Sequence, residues 1–131
     1  MQFRRALFGA AFGLAGAAAA DPVLGTWQTE VDDGGCAHVE MRRCGEAVCG
    51  VVTRTFDAEG EYLSETLGEM LVRGMVSQGG GRYEGRVWHP ANDRVYPGRT
   101  ERSGDRLRLK GCVAGGLVCA SQTWARVRRA V

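Results

Sequence analysis

The sequence predicts an all-β protein, a single eight-stranded antiparallel up-and-down barrel over residues 21–131. Three observations carry this reading. Short segments alternate apolar and polar residues, as in Arg106-Leu107-Arg108-Leu109-Lys110, which puts leucines on one face and bases on the other. Turn residues separate these segments at Asp33-Gly34-Gly35, Gly79-Gly80-Gly81, Asn92-Asp93, Gly104-Asp105 and Gly115-Gly116. The 20 glycines among 131 residues suit tight turns and would weaken helices.

The first strand is expected over 23–31 and the second over 36–44. A two-residue turn at Asp33-Gly34 would set Trp27 opposite Glu40. A three-residue loop over 33–35 pairs Trp27 with Met41, Thr29 with Val39 and Val31 with Ala37, and this apolar match selects it. The third strand spans 48–56, after a loop from Gly45 to Val48 that sets Cys44 opposite Cys49. Residues 57–68 carry Asp57, Glu59, Glu61 and Glu65 with no base. They read as a solvated loop or short helix across one barrel end, with an acidic lid as the sharper alternative.

The remaining strands are expected over 69–76, 82–89, 94–102, 106–113 and 118–127. A two-residue loop at Gly115-Gly116 sets Leu109 opposite Gln122, Leu107 opposite Trp124 and Cys112 opposite Cys119. The resulting inner face holds Trp27, Val39, Met41, Val52, Arg54, Phe56, Tyr83, Val87, Tyr96, Thr100, Leu107, Leu109, Gln122, Trp124 and Arg126. Eight strands with one apolar face close naturally into a small barrel, which removes exposed edges.

Residues 1–20 read as a secretory signal peptide. Arg4 and Arg5 form the charged region, Ala6 to Leu14 the apolar stretch, and Ala18-Ala19-Ala20 the cleavage site before Asp21. The apolar stretch falls short of the roughly 20 residues that span a bilayer. The expected mature protein is therefore periplasmic or secreted. The formal charge of +2 rests on those two leader arginines, so the mature chain is neutral. A nucleic-acid binder normally carries a basic surplus, and that class loses its support.

Five cysteines in an exported chain point to disulfides. Directly opposed strand residues lie within bridging distance, so hairpin register selects Cys44–Cys49 and Cys112–Cys119. Each small loop contributes about 2–2.5 kcal/mol in the chain-entropy account. Cys36 is left as a free thiol. The chain is expected to be a monomer, with a dimer bridged through Cys36 as the alternative.

The chemistry of catalysis is sparse. His38 and His89 are the only histidines, and no metal site is expected from them once the cysteines are oxidised. Cys36 and His38 share a strand face, yet no third residue orients them. Ser64, Ser77, Ser103 and Ser121 lie in no nucleophile elbow. The expectation is a protein that is not an enzyme and needs no cofactor. Arg54, Tyr83, Tyr96, Gln122 and Trp124 form the candidate ligand pocket, with an apolar wall and few polar groups. A buried Arg54 would favour an anionic ligand. The first functional reading is thus an exported barrel binding a small, partly apolar molecule, anionic or neutral. The alternative is a structural or protein-interaction module of the cell envelope with a filled core.

Gly25-Thr26-Trp27 opens the first strand, and Thr123-Trp124-Ala125-Arg126 closes the last. This pair of motifs resembles the calycin barrels, including the lipocalins. The resemblance implies that Trp27 and Arg126 form the pair that closes the barrel floor, a guanidinium stacked on an indole. A broader resemblance covers nearly the whole mature chain, to the bacterial domain-of-unknown-function family 2147. It rests on Gly25-Thr26-Trp27, Cys44-Gly45-Glu46-Ala47-Val48-Cys49-Gly50, Tyr83-Glu84-Gly85-Arg86-Val87-Trp88-His89-Pro90, Tyr96-Pro97-Gly98, Leu107-Arg108-Leu109-Lys110-Gly111-Cys112 and Thr123-Trp124-Ala125-Arg126-Val127. Asp93 and Arg54 depart from the family pattern, which often has glycine and an aromatic there. The resemblance implies a lipocalin-like barrel and export. It implies no particular activity.

Overall fold

The computed structural model describes residues 21–116 and 118–128, so the expected leader over 1–20 lies outside the described residues. The strands are β1 (Gly25–Gln28), β2 (Cys36–Cys44), β3 (Ala47–Asp57), β4 (Gly60–Tyr62), β5 (Met70–Gly79), β6 (Arg82–His89), β7 (Arg94–Ser103), β8 (Arg106–Val113) and β9 (Val118–Arg126). All pairings are antiparallel. Eight strands form a ring in the order β2-β1-β9-β8-β7-β6-β5-β3, and pairing of β2 with β3 closes it. The short β4 lies outside the ring, hydrogen-bonded to β3 alone. The described residues contain no α-helix.

One end of the barrel carries the tight turns at 45–46, 80–81 and 104–105 and both ends of the described chain. The other carries the connections 29–35, 58–69, 90–93 and 114–116. The core occupies the first half. Trp27, Val39 and Leu107 are completely buried, and Trp124, Met41 and Met75 nearly so. Each such side chain contributes about 1.5–3 kcal/mol through removal from water.

The β8–β9 register agrees with expectation, with Leu107 opposite Trp124, Leu109 opposite Gln122 and Cys112 opposite Cys119. Both disulfides are present, with Cα–Cα separations of 5.8 Å for Cys44–Cys49 and 4.1 Å for Cys112–Cys119, and Cys36 is free.

Several expectations need correction. The first hairpin turns tightly at Asp33-Gly34, where φ is 55° and 82°, inside an Asp32–Gly35 bridge. Such a left-handed two-residue turn matches the twist of the strands. Glu30 and Val31 then bulge, so Trp27 pairs with Val39, not Met41, and Val31 is 71% exposed, not paired with Ala37. The face of Trp27 is preserved because the offset from the expected register is two residues. The second hairpin turns at Gly45-Glu46, which puts Cys44 opposite Ala47 and Arg42 opposite Cys49. The Cys44–Cys49 bridge is therefore diagonal, not directly cross-strand.

The third correction matters most for function. Val39 pairs with Val52 but His38 pairs with Arg54, so Thr53 is an extra residue in β3. This bulge inverts the alternation beyond it. Thr55 turns inward and is buried, while Arg54 becomes exposed and moves, with Phe56, to the outer face. The fourth concerns residues 57–68, which are neither plain loop nor helix at their start. They fold back as β4, with Asp57 opposite Gly60 and Thr55 opposite Tyr62.

A candidate ligand site at the open end of the barrel

The floor is built where the chain enters β1 and leaves β9. The Arg126 guanidinium carbon lies 4.3 Å from the centroid of the Trp27 ring. Its Nη1 donates to the Leu24 carbonyl at 3.1 Å, its Nη2 to the Pro22 carbonyl and its Nε to Asp105 at 3.1 Å. Trp27 Nε1 donates to the Val23 carbonyl at 2.9 Å. Arg126 therefore ties residues 22–24 to the Trp27 indole across this end of the barrel. The neighbouring Arg128 and Arg126 hold the Asp105 carboxyl below the usual carboxylate range, the Arg128 hydrogen bond acting most strongly.

Tyr83 belongs to this floor as well. Its phenol donates to Asp21 at 2.5 Å. Burial first, and then the hydrogen bond and negative charge of Asp21, push its pKa up to about 12. Opposite it on β7 sits Thr100, 1% exposed, whose hydroxyl has no hydrogen-bond partner among the described residues.

Above the two tryptophans the wall changes character. Trp124 Nε1 donates to Gln122 at 2.8 Å, so the Gln122 amide lies over the core on the inner face. Tyr96, half-buried, faces inward from β7, and its hydroxyl accepts from Asn92 at 2.7 Å. His89 meets the Tyr96 ring edge-on. Between Tyr96 and Gln122 the inward positions on β8 and β9 are Gly111 and Ala120, which face each other. A methyl group built on Gly111 would meet nothing within 4 Å, whereas one on neighbouring Gly98 would strike Val87 Cγ2 at 2.3 Å. The barrel is thus packed around Gly98 and open around Gly111.

The five expected pocket residues do not converge. Trp124 and Gln122 meet, Tyr96 stands at the mouth, and Tyr83 is committed to the floor. Arg54 lies outside. It makes a two-pronged bond to Glu61 on β4, at 2.8 and 2.6 Å, and its guanidinium carbon is 5.3 Å from the Phe56 centroid. The Glu61 carboxyl is lowered chiefly by that hydrogen bond. The fork holds Arg54 outside, so a buried cation awaiting an anion is not what the fold provides. His38, the cross-strand partner of Arg54, packs against Phe56 with ring centroids 4.9 Å apart and planes tilted by 55°. Its pKa is lowered by burial and then by Arg54.

Sequence reasoning missed a concavity of about 500 Å³ on the outer wall, bordered by Arg82, Glu84, Arg99, Glu101, Arg108 and Lys110. Its signal was present in the bases of Arg106-Leu107-Arg108-Leu109-Lys110, which were read only as the face opposite the leucines. Among the described residues no cluster of three or more His, Cys, Asp or Glu is placed to hold a metal ion. None of their helices is long and apolar enough to cross a membrane.

A closed floor, eight up-and-down strands and a mouth ringed by long connections define a lipocalin-like barrel. The chain belongs to the bacterial family described as "Uncharacterized protein conserved in bacteria (DUF2147)", which it matches over residues 25–126. Among solved structures it resembles protein HP1028 from the human pathogen Helicobacter pylori, described as belonging to the lipocalin family. That likeness has a TM-score of 0.66 at 13% identity, over 83% of this chain and 85% of the other, and it speaks for the fold. No curated protein matches the chain.

Proposed function

We propose that this protein is an exported binding barrel that takes a small, partly apolar molecule into its open half. The observation that carries the reading is the open space at the inward position of Gly111, with Ala120 across from it and Gln122 the next inward residue along β9 toward Trp124. An apolar recess with few polar groups suits a small ligand, the amide of Gln122 and the phenol of Tyr96 orienting it. Arg54 takes no part, so the ligand need not be anionic. Two disulfides support an exported, periplasmic or secreted location. The role is binding and not catalysis, in a monomer.

A second reading, an envelope interaction module, draws support from the filled lower half of the barrel and the exposed apolar side chains at its rim, among them Leu63 at 90%. Nile red, a neutral apolar fluorophore, separates the two. The binding reading expects enhanced emission with the parent protein and at least a tenfold loss of affinity in Gly111→Leu, with unchanged circular dichroism. Arg54→Ala should bind as the parent does. Equal binding by Gly111→Leu and the parent, or none by either, favours the interaction module.

A further inference from the structure

β1 has four residues and β9 has nine. They pair only at Trp27–Arg126 and Gln28–Ala125. Beyond that point β1 follows β2, and the Thr29 N–H donates to the Ala37 carbonyl. Residues 118–123 of β9 therefore have β8 on one side and no strand on the other. The main-chain groups of a strand point alternately to its two sides. Arg126 N–H donates to the Asp105 carbonyl on the β8 side, and Val127 N–H to the Thr26 carbonyl on the β1 side. By that alternation Cys119, Ser121 and Thr123 present their N–H and C=O to the free edge. A Glu30 carboxylate oxygen accepts from the Thr123 N–H at 2.6 Å, standing where a strand carbonyl would. The N–H groups of Cys119 and Ser121 have no partner on that side among the described residues.

Exposed edges are usually guarded by lysine, proline, a bulge or a covering element. The stretch Val118-Cys119-Ala120-Ser121-Gln122-Thr123 has no charge and no proline, and its register with β8 is unbroken. Its surroundings specify what fits. The connection 29–35 beside it holds Glu30, Asp32 and Asp33 with no Lys or Arg. Val31 and Val118 are 71% and 60% exposed.

We propose that β9 accepts an extended, basic segment of a partner protein as an added strand. Main-chain bonds to Cys119 and Ser121 hold the segment, and alternate basic side chains face Glu30, Asp32 and Asp33. A second copy fits less well, because it brings the same carboxylates to both sides of the junction.

The test uses the mature protein with its disulfides intact and two acetylated, amidated hexapeptides, (Lys-Val)3 and (Glu-Val)3. Amide exchange at Cys119 and Ser121 is expected to be fast in the free monomer and at least tenfold slower with saturating (Lys-Val)3. The acidic peptide should have no effect, and salt should weaken the basic one. Ser121→Pro removes an edge N–H without touching the β8 ladder and should abolish binding. Should that variant fold poorly, Ser121→Lys charges the edge and should weaken binding at least tenfold. The proposal is overturned if both amides are protected in the free monomer, if the peptides act alike or not at all, or if Ser121→Lys binds as the parent does. Protection that rises with protein concentration alone also overturns it and assigns the edge to a second copy.

Discussion

Replacing Thr100 with valine should stabilise this protein, against the usual direction of core substitutions. The residue is 1% exposed, and its hydroxyl is unpaired among the described residues. Its cross-strand neighbour Tyr83 spends its own hydroxyl on Asp21, and on the other side lies Leu109. An unpaired buried hydroxyl costs about 1–3 kcal/mol in protein mutational data. Valine keeps the branched shape and removes that cost, so Thr100→Val should gain about 1–2 kcal/mol. For a domain of this size the gain corresponds to roughly 5–10 °C in Tm. Thr100→Ser keeps the hydroxyl and loses a methyl, and should fall by about 1 kcal/mol. Urea unfolding followed by the fluorescence of Trp27 and Trp124 measures both, with a constant slope as the check on two-state behaviour. A Thr100→Val protein less stable than its parent would refute the reasoning, because it would show that the hydroxyl is bonded to a buried water.

Two further outcomes follow from the floor. Arg126→Met should lose about 2–3 kcal/mol, since it leaves the Leu24 and Pro22 carbonyls without their charged donor and removes the stacking on Trp27; thermal unfolding by circular dichroism reads the loss. One of the three tyrosines should titrate near pH 12 by ultraviolet absorbance, and Tyr83→Phe should delete that step. A folded pKa raised above the unfolded value near 10 means the associated stability is complete below about pH 10 and fades as pH climbs to 12. Unfolding measured across that interval should steepen for the parent more than for Tyr83→Phe.

What could be read from the sequence was the part governed by unbroken alternation. β8 and β9 run without a bulge, so two leucines and a glycine-rich turn were enough to align Leu107 with Trp124 and to pair Cys112 with Cys119. The contact of Trp27 with Arg126 was suggested only by the resemblance of Gly25-Thr26-Trp27 and the last strand to the calycin motifs, since residues so far apart in the chain carry no local signal of meeting. Bulges were invisible. Thr53 is an ordinary strand residue by composition, yet its insertion sends Arg54 and Phe56 outward and Thr55 inward. The extra residue near Glu30 likewise hid behind an apolar match that favoured the wrong partner for Trp27. Cys44 and Cys49 were paired correctly from a register two residues off, because diagonal neighbours also lie close enough to bridge. The space beside Gly111 depends on which neighbours fill it, and that is fixed only when strands from distant parts of the chain meet.

The two bridges and the seam divide the barrel by the length of chain each must gather. Cys44–Cys49 and Cys112–Cys119 span 5 and 7 residues within single hairpins, so each can lock while the rest of the chain is still unstructured. The contact of Trp27 with Arg126 joins residues at opposite ends of the domain and rests on two residue pairs. Contacts of such high order form late and at the greatest entropic cost. Folding is therefore expected to begin in the stapled hairpins and finish when the first strand docks against the last, and the same seam, being the shortest ladder in the ring, is where the native barrel opens first.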